Sequence, residues 1–156
     1  MSLTTSHPPE ETGIGTLTSR RKRKSGVPTG NAGEYFVMGE LLRRGFDAQL
    51  ADRNTKSYDL LVGRAEEATL RKVQIKTVRS QPWYVNPGDF EGDFRDRVTI
   101  YVLLGPEKVN KPVRFFIVKN RDLASHVHQP PGWRKHGFMQ MKYVQEFEDK
   151  WATLLE

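Results

Sequence analysis

Cysteine is absent from all 156 residues. That excludes a disulfide framework and any thiolate zinc site. An intracellular protein needs neither, so the expected compartment is the cytoplasm. Long apolar runs are also missing, and nothing approaches the length of a membrane span. The N-terminus lacks the basic-then-apolar pattern of a secretory leader. No internal repeat is visible. Carboxylates are the minority charge: 19 Asp and Glu stand against 25 Lys and Arg, a net charge of +6. A basic balance favours a polyanionic partner, nucleic acid or a lipid surface. With 37% hydrophobic and 28% charged residues, the chain is polar yet long enough to bury one core without covalent staples.

Residues 1–28 are rich in Ser, Thr, Pro and Gly and hold almost no large apolar side chain. Such a segment cannot bury enough surface to offset its ordering entropy. It reads as a mobile arm, or as an inert tail, and it carries the unbroken basic run Arg20, Arg21, Lys22, Arg23 and Lys24. Residues 29–156 form the folded domain. A helix is expected over 31–45, with Asn31 as N-cap, Gly45 as stop and Tyr35, Met38, Leu41 and Leu42 inward. Glu40 and Arg44 pair on its outer face. Strands are expected at 46–50, 57–63 and 70–78, then a short one at 83–86, then at 98–104 and 113–118. Asn120 starts a short helix, 126–137 is loop, and 144–155 is a closing helix. The order predicts an α/β fold, a mixed central sheet of about five strands flanked by helices.

Four polar residues stand out. Glu34 lies in the first turn of the leading helix and Asp59 opens the second strand. Gln74 and Lys76 are two apart on the third strand, so they share a face. A hairpin between those strands brings Asp59 to the pair, and the helix packed across the sheet adds Glu34. Oxygen ligands of this kind hold Mg²⁺ and leave water positions open. The ion activates water and neutralises phosphate charge, and a neighbouring lysine stabilises developing charge. Each residue also has a plain reading. Asn31-x-x-Glu34 has the form of a capping box. Asp59 could simply open a strand, although it precedes a buried run where a lone carboxylate is costly. Gln74 and Lys76 could be a solvated face.

Trp83, Tyr84 and Phe94 lie among Arg79, Arg95 and Arg97, a mixture that suits base stacking and phosphate contact; aromatics under a loop also serve as satellite core. Arg79, Trp83 and Arg95, with the basic run, are the candidate nucleic-acid contacts. His126 and His128 form an H-x-H pair, with His136 near, but no carboxylate accompanies them. They read as loop histidines rather than a zinc site.

Read in order, Gly30-Asn31-Ala32-Gly33-Glu34, Leu41-Leu42-Arg43-Arg44-Gly45-Phe46, Tyr58-Asp59-Leu60-Leu61-Val62 and Val73-Gln74-Ile75-Lys76-Thr77 resemble the PD-(D/E)XK nuclease superfamily. The likeness is to the branch of Holliday-junction resolvases and small intron-encoded endonucleases with a Gln-x-Lys motif, and covers about residues 30–120. It implies a restriction-endonuclease-like core and a Mg²⁺-dependent endonuclease, Mn²⁺ substituting. Glu34 and Asp59 are then metal ligands and Lys76 the catalytic lysine. Gln74 departs from the usual acid: its carbonyl can ligate the ion but brings no charge, so metal affinity should drop. Tyr58 stands where proline is common. The implied partner is DNA, with RNA as the alternative, and no membrane. Cutting both strands often uses two copies, hence a homodimer. A nuclease fold that only binds nucleic acid or protein is the competing reading. A regulatory domain with incidental basic charge is a third.

Overall fold

A computed structural model describes residues 26–52, 54–55, 57–64, 66 and 69–156. The basic run 20–24 lies outside the described residues.

Helix α1 spans Val27–Arg43. It starts inside the stretch expected to be arm, because Pro28 occupies the first turn, where its missing N–H and fixed φ are an advantage. Asn31 therefore lies within the helix and is not its cap, which removes the capping-box reading of Glu34. The end is as expected: Gly45 takes φ 87°, the left-handed conformation that releases the chain into β1, Phe46–Leu50. The inner face is half the expected one: Leu41 is buried and Met38 packs on the core, but Tyr35 and Leu42 are exposed and Gly33 and Val37 are buried in addition. Glu40 bonds both Arg43 and Arg44 on the solvent side.

Strands β2 (Leu60–Arg64) and β3 (Arg71–Val78) follow, then the short β4 (Trp83–Val85). β5 (Val98–Leu103) and β6 (Arg114–Lys119) are almost wholly buried, which is why they read as continuous apolar runs. These form a five-stranded sheet ordered β1-β2-β3-β5-β6. β3 and β5 run parallel and the other neighbours antiparallel, so the sheet is mixed as expected. Beyond it lie α2 (Asn120–Leu123), β7 (Gly137–Met139) and α3 (Met141–Val144). β7 falls at the end of the expected loop and pairs with β4 as a separate two-stranded sheet.

The strict alternation of β3 divides the molecule into two layers. Val73 and Ile75 face α1, sharing a core with Val37, Leu41, Leu60, Val62, Ile100, Ile117, Trp151 and Leu154. Gly33 is the point of closest approach: a Cβ there would collide with the Thr77 side chain on β3. The opposite face carries a second core of Trp83, Val85, Phe90, Tyr101, Phe116, Val118, Leu123, Met139 and Val144. That layer covers β5 and β6 but leaves Gln74 and Lys76 half-buried at its margin.

The expected closing helix is broken into α3 and two 3-10 turns, Gln145–Phe147 and Trp151–Leu155. The break has a local cause. Asp149 takes φ 55°, its N–H donates to Phe115 O at 2.9 Å, and Glu148 holds Arg114 through two hydrogen bonds. The chain trades helix for contact with the sheet edge.

Candidate active site

The β2–β3 register sets the geometry. Leu60 pairs with Val73, and Asp59 N–H donates to Val73 O at 2.9 Å. Asp59 lies just before β2, beyond the last paired residue and not inside the expected strand, next to the β3 segment that carries Gln74 and Lys76. The Ile75 N–H donates to Asp59 Oδ2 at 2.7 Å, which pins the carboxylate between the two. Upstream, the Arg97 guanidinium donates to Ser57 O and ties the start of β5 to the loop that delivers Asp59.

Burial pushes the Asp59 carboxyl above its ordinary range. The Ile75 N–H and the Lys76 charge oppose the rise, and Asp89 adds to it. Glu34 comes from α1, next to the Gly33–Thr77 contact that sets the helix on β3. With Asn31, Asp52, Tyr58 and Asp59 it lines a cleft of about 300 Å³. Glu34 and Asp59 are therefore brought to one opening, and Gln74 and Lys76 extend along the sheet from Asp59.

Asp89 was missed in the sequence. Its Oδ2 lies 3.9 Å from Lys76 Nζ. It sits in the 3-10 turn Pro87–Phe90, where Asn86 accepts the Gly88 N–H at 3.0 Å. The turn is bolted down by Asn120, almost wholly buried. Asn120 Nδ2 donates to Asp89 O at 2.9 Å and to Phe94 O at 3.0 Å, while its Oδ1 accepts from Thr99 Oγ1 at 2.6 Å. Thr99 is the β5 neighbour of Gln74. The Asn-Pro-Gly-Asp turn is legible in the sequence; its position beside Lys76 is a product of this packing.

Among the described residues no three His, Cys, Asp or Glu side chains gather at one point. The oxygen set is two carboxylates, Glu34 and Asp59, with the Gln74 amide. A hard divalent cation fits this set. Asp59 Oδ1 accepts no hydrogen bond from a described residue, and its carboxylate is half-buried, with Lys76 the near cation among the described residues. A bound ion would relieve that charge.

The expected nucleic-acid contacts divide. Trp83 is fully buried, with its indole N–H on Val102 O at 3.1 Å. It is a core residue and cannot stack on a base, because alternation turns it inward and its neighbour Tyr84 outward. Arg79 donates to Gly105 O and lies 3.8 Å from Glu107. Arg95 is exposed, and Arg97 lies over the Phe94 ring. His126 stacks on Tyr143 at 4.1 Å.

No protein-family model and no curated protein matches the chain. Among solved structures it is similar to the Holliday junction resolvase Hjc of the archaeal hyperthermophile Archaeoglobus fulgidus. Identity is 13% over 75% of this chain and 88% of that one, with a TM-score of 0.46. It is also similar to the bacterial homing endonuclease I-Ssp6803I, 14% identical over 84% of this chain and 92% of that one, TM-score 0.49. These are likenesses of fold. The chain itself has the leading helix and the mixed five-stranded sheet expected from its sequence.

Proposed function

We propose that the chain is a metal-dependent endonuclease that hydrolyses phosphodiester bonds in DNA. One observation carries the reading: the Ile75 N–H bond that fixes the Asp59 carboxylate against the β3 segment carrying Gln74 and Lys76. Glu34, Asp59 and the Gln74 carbonyl would hold Mg²⁺, or Mn²⁺ in its place. When bound, the ion supplies an activated water and neutralises charge on the phosphate. Asp59 must give up its proton to serve, and its raised pKa makes that step pH-dependent. Lys76 brings a positive charge to the phosphate oxygens. Its separation from Asp89, 3.9 Å, is longer than a tight ion pair, so the ammonium can turn toward substrate. The basic balance of the chain favours the polyanion. Among the described residues no helix is long and apolar enough to cross a membrane; the cytoplasm is the proposed place of action. Cutting both strands calls for two copies related by a two-fold axis, a homodimer that gel filtration tests.

Nicking of supercoiled plasmid in Mg²⁺ or Mn²⁺ tests the proposal. Asp59→Asn keeps the Ile75 bond and should abolish nicking, as should Lys76→Ala; wild-type rates in either protein refute it. One observation favours the second reading, a nuclease fold that binds without cutting: Gln74 stands where a second sheet carboxylate is expected. That reading predicts DNA binding with no nicking by the wild-type protein in either ion.

A further inference from the structure

The outer face of the β4–β7 sheet is aromatic. Alternation sends Trp83, Val85 and Met139 into the core, so Tyr84 and Phe138, directly paired across the two strands, face outward. Their ring centroids are 5.0 Å apart. Trp133, from the preceding turn, lies 4.7 Å from the Phe138 ring. Tyr84 is 62% exposed and Trp133 41%. Scattered exposed aromatics are ordinary, but Tyr84 and Trp133, both packed on the half-buried Phe138, make a patch. Nothing among the described residues covers it.

Charge indicates what does. The turn continues as Arg134, Lys135 and His136, all exposed. No carboxylate occurs between Asp122 and Glu146. Among the described residues neither Arg134 nor Lys135 has an ion-pair or hydrogen-bond partner. Aromatic faces beside unneutralised cations suit a chain that alternates flat π-systems with phosphates. Paired bases hide their faces in the stack, whereas unpaired ones offer them. β4 also runs directly into the Asn86–Asp89 turn that meets Lys76, so the patch and the candidate active site share one rigid segment.

We infer that Tyr84, Phe138 and Trp133 form a stacking platform for unpaired nucleobases, with Arg134 and Lys135 taking the adjoining phosphates. The inference rests on nucleic acid as the proposed partner, but not on cutting. Binding of a fluorescein-labelled oligothymidylate, followed by anisotropy in EDTA, reads the platform without cleavage. Trp133→Ala and Tyr84→Ala alter exposed rings and leave the core intact. Each should weaken oligothymidylate binding at least about fivefold, the lower end for loss of one stacked base. Trp133→Phe should restore most of it, and duplex binding should change less than single-strand binding. Changing Arg134 and Lys135 together to Gln should flatten the salt dependence by about 0.7 per lost phosphate contact. Unchanged affinity in both aromatic variants overturns the inference while leaving the nicking result standing. Equal losses on duplex and single strand also overturn it, since the rings would then not be reading unpaired bases.

Discussion

In an exposed helix, Gly33→Ala would stabilise α1 by about 1 kcal/mol. Here the sign should reverse. A methyl at Gly33 would meet Thr77 Oγ1 head-on and lie 2.7 Å from both Thr77 Cβ and Cγ2. Ordinary carbon contacts are about 3.5–4.0 Å. β3 is hydrogen-bonded on both sides, to β2 and to β5, so the strand cannot recede and the helix must. Overpacking costs roughly 1–3 kcal/mol; contacts this short belong in its upper half, about 2–3 kcal/mol, which outweighs the propensity gain and leaves a loss of about 1–2 kcal/mol. Urea unfolding followed by circular dichroism should show it, with Tm lower by roughly 3–8 °C. Activity should fall further than stability, because Glu34 is the next residue and moves with the helix. Misplacement by about 1 Å at a reacting centre costs on the order of 100-fold. Adding Thr77→Ala removes Oγ1 and Cγ2 and should recover part of both losses. A Gly33→Ala protein as stable as the wild type would refute the claim that this contact seats the helix.

Thr77 offers a second test. Its buried hydroxyl has no hydrogen-bond partner among the described residues, so Thr77→Val, of the same shape, should stabilise by about 1 kcal/mol; a lower urea midpoint would show that the hydroxyl is bonded after all. Asp59→Asn should abolish nicking and yet stabilise the metal-free protein at neutral pH. The folded carboxyl titrates above its ordinary 3.8, so stability falls as pH rises from there through the folded pKa, and the full cost remains above it. Melting in EDTA across pH should show the variant gaining over wild type in that window and converging with it below, and parallel curves would contradict the assignment. Asn120→Ala leaves the Thr99 hydroxyl and the Asp89 and Phe94 carbonyls without their partner. It should cost roughly 2–4 kcal/mol and open the 87–96 segment to limited proteolysis, whereas an unchanged digestion pattern would mean that the turn holds without it.

The site residues that were legible in the sequence are those fixed by local rules. Period-two alternation puts Gln74 and Lys76 on one face, and a hairpin between successive strands brings Asp59 alongside. Neither requires knowledge of the rest of the fold. Asp89 reaches Lys76 only because Asn120, at the end of β6, grips its carbonyl, a contact spanning 31 residues. The α1 inner face was misjudged in part for a related reason. Apolar bulk selects Tyr35 and Leu42, but the sheet selects the stripe Gly33, Val37 and Leu41, because close approach to Thr77 demands the residue with no side chain. Trp83 and Tyr84 were read alike from composition. Only the pairing with β7 decides that one is core and the other surface. At the C-terminus, where Val144, Phe147, Trp151, Leu154 and Leu155 have helical spacing, Val144, Trp151 and Leu154 are buried but Leu155 is exposed, because the α-helix ends at Val144 and the backbone turns at Asp149 to bond the sheet edge.

Gln74 then acquires a physical rationale that its departure from the usual acid does not reveal. Asp59 bonds the Ile75 N–H, one residue from Gln74, and like charges on neighbouring strands are destabilising. Asp59 already ionises against burial and the charge of Asp89, with Lys76 as the near counter-charge. A carboxylate at 74 would add a further repulsion at close range. The amide avoids it, at the cost of a weaker hold on a cation. Gln74→Glu should therefore have two opposed effects. Without metal it should raise the Asp59 pKa further and lower stability at neutral pH. With metal it should bind Mn²⁺ more tightly, but only where both acids are ionised, so the midpoint of Mn²⁺ binding should move to higher pH. Isothermal titration across pH separates the two effects. Tighter binding at every pH with no shift in midpoint would mean that residue 74 does not feel Asp59. Affinity unchanged in Gln74→Glu and in Gln74→Leu alike would remove residue 74 from the ion's ligands and leave Glu34, Asp59 and Lys76 to carry the chemistry.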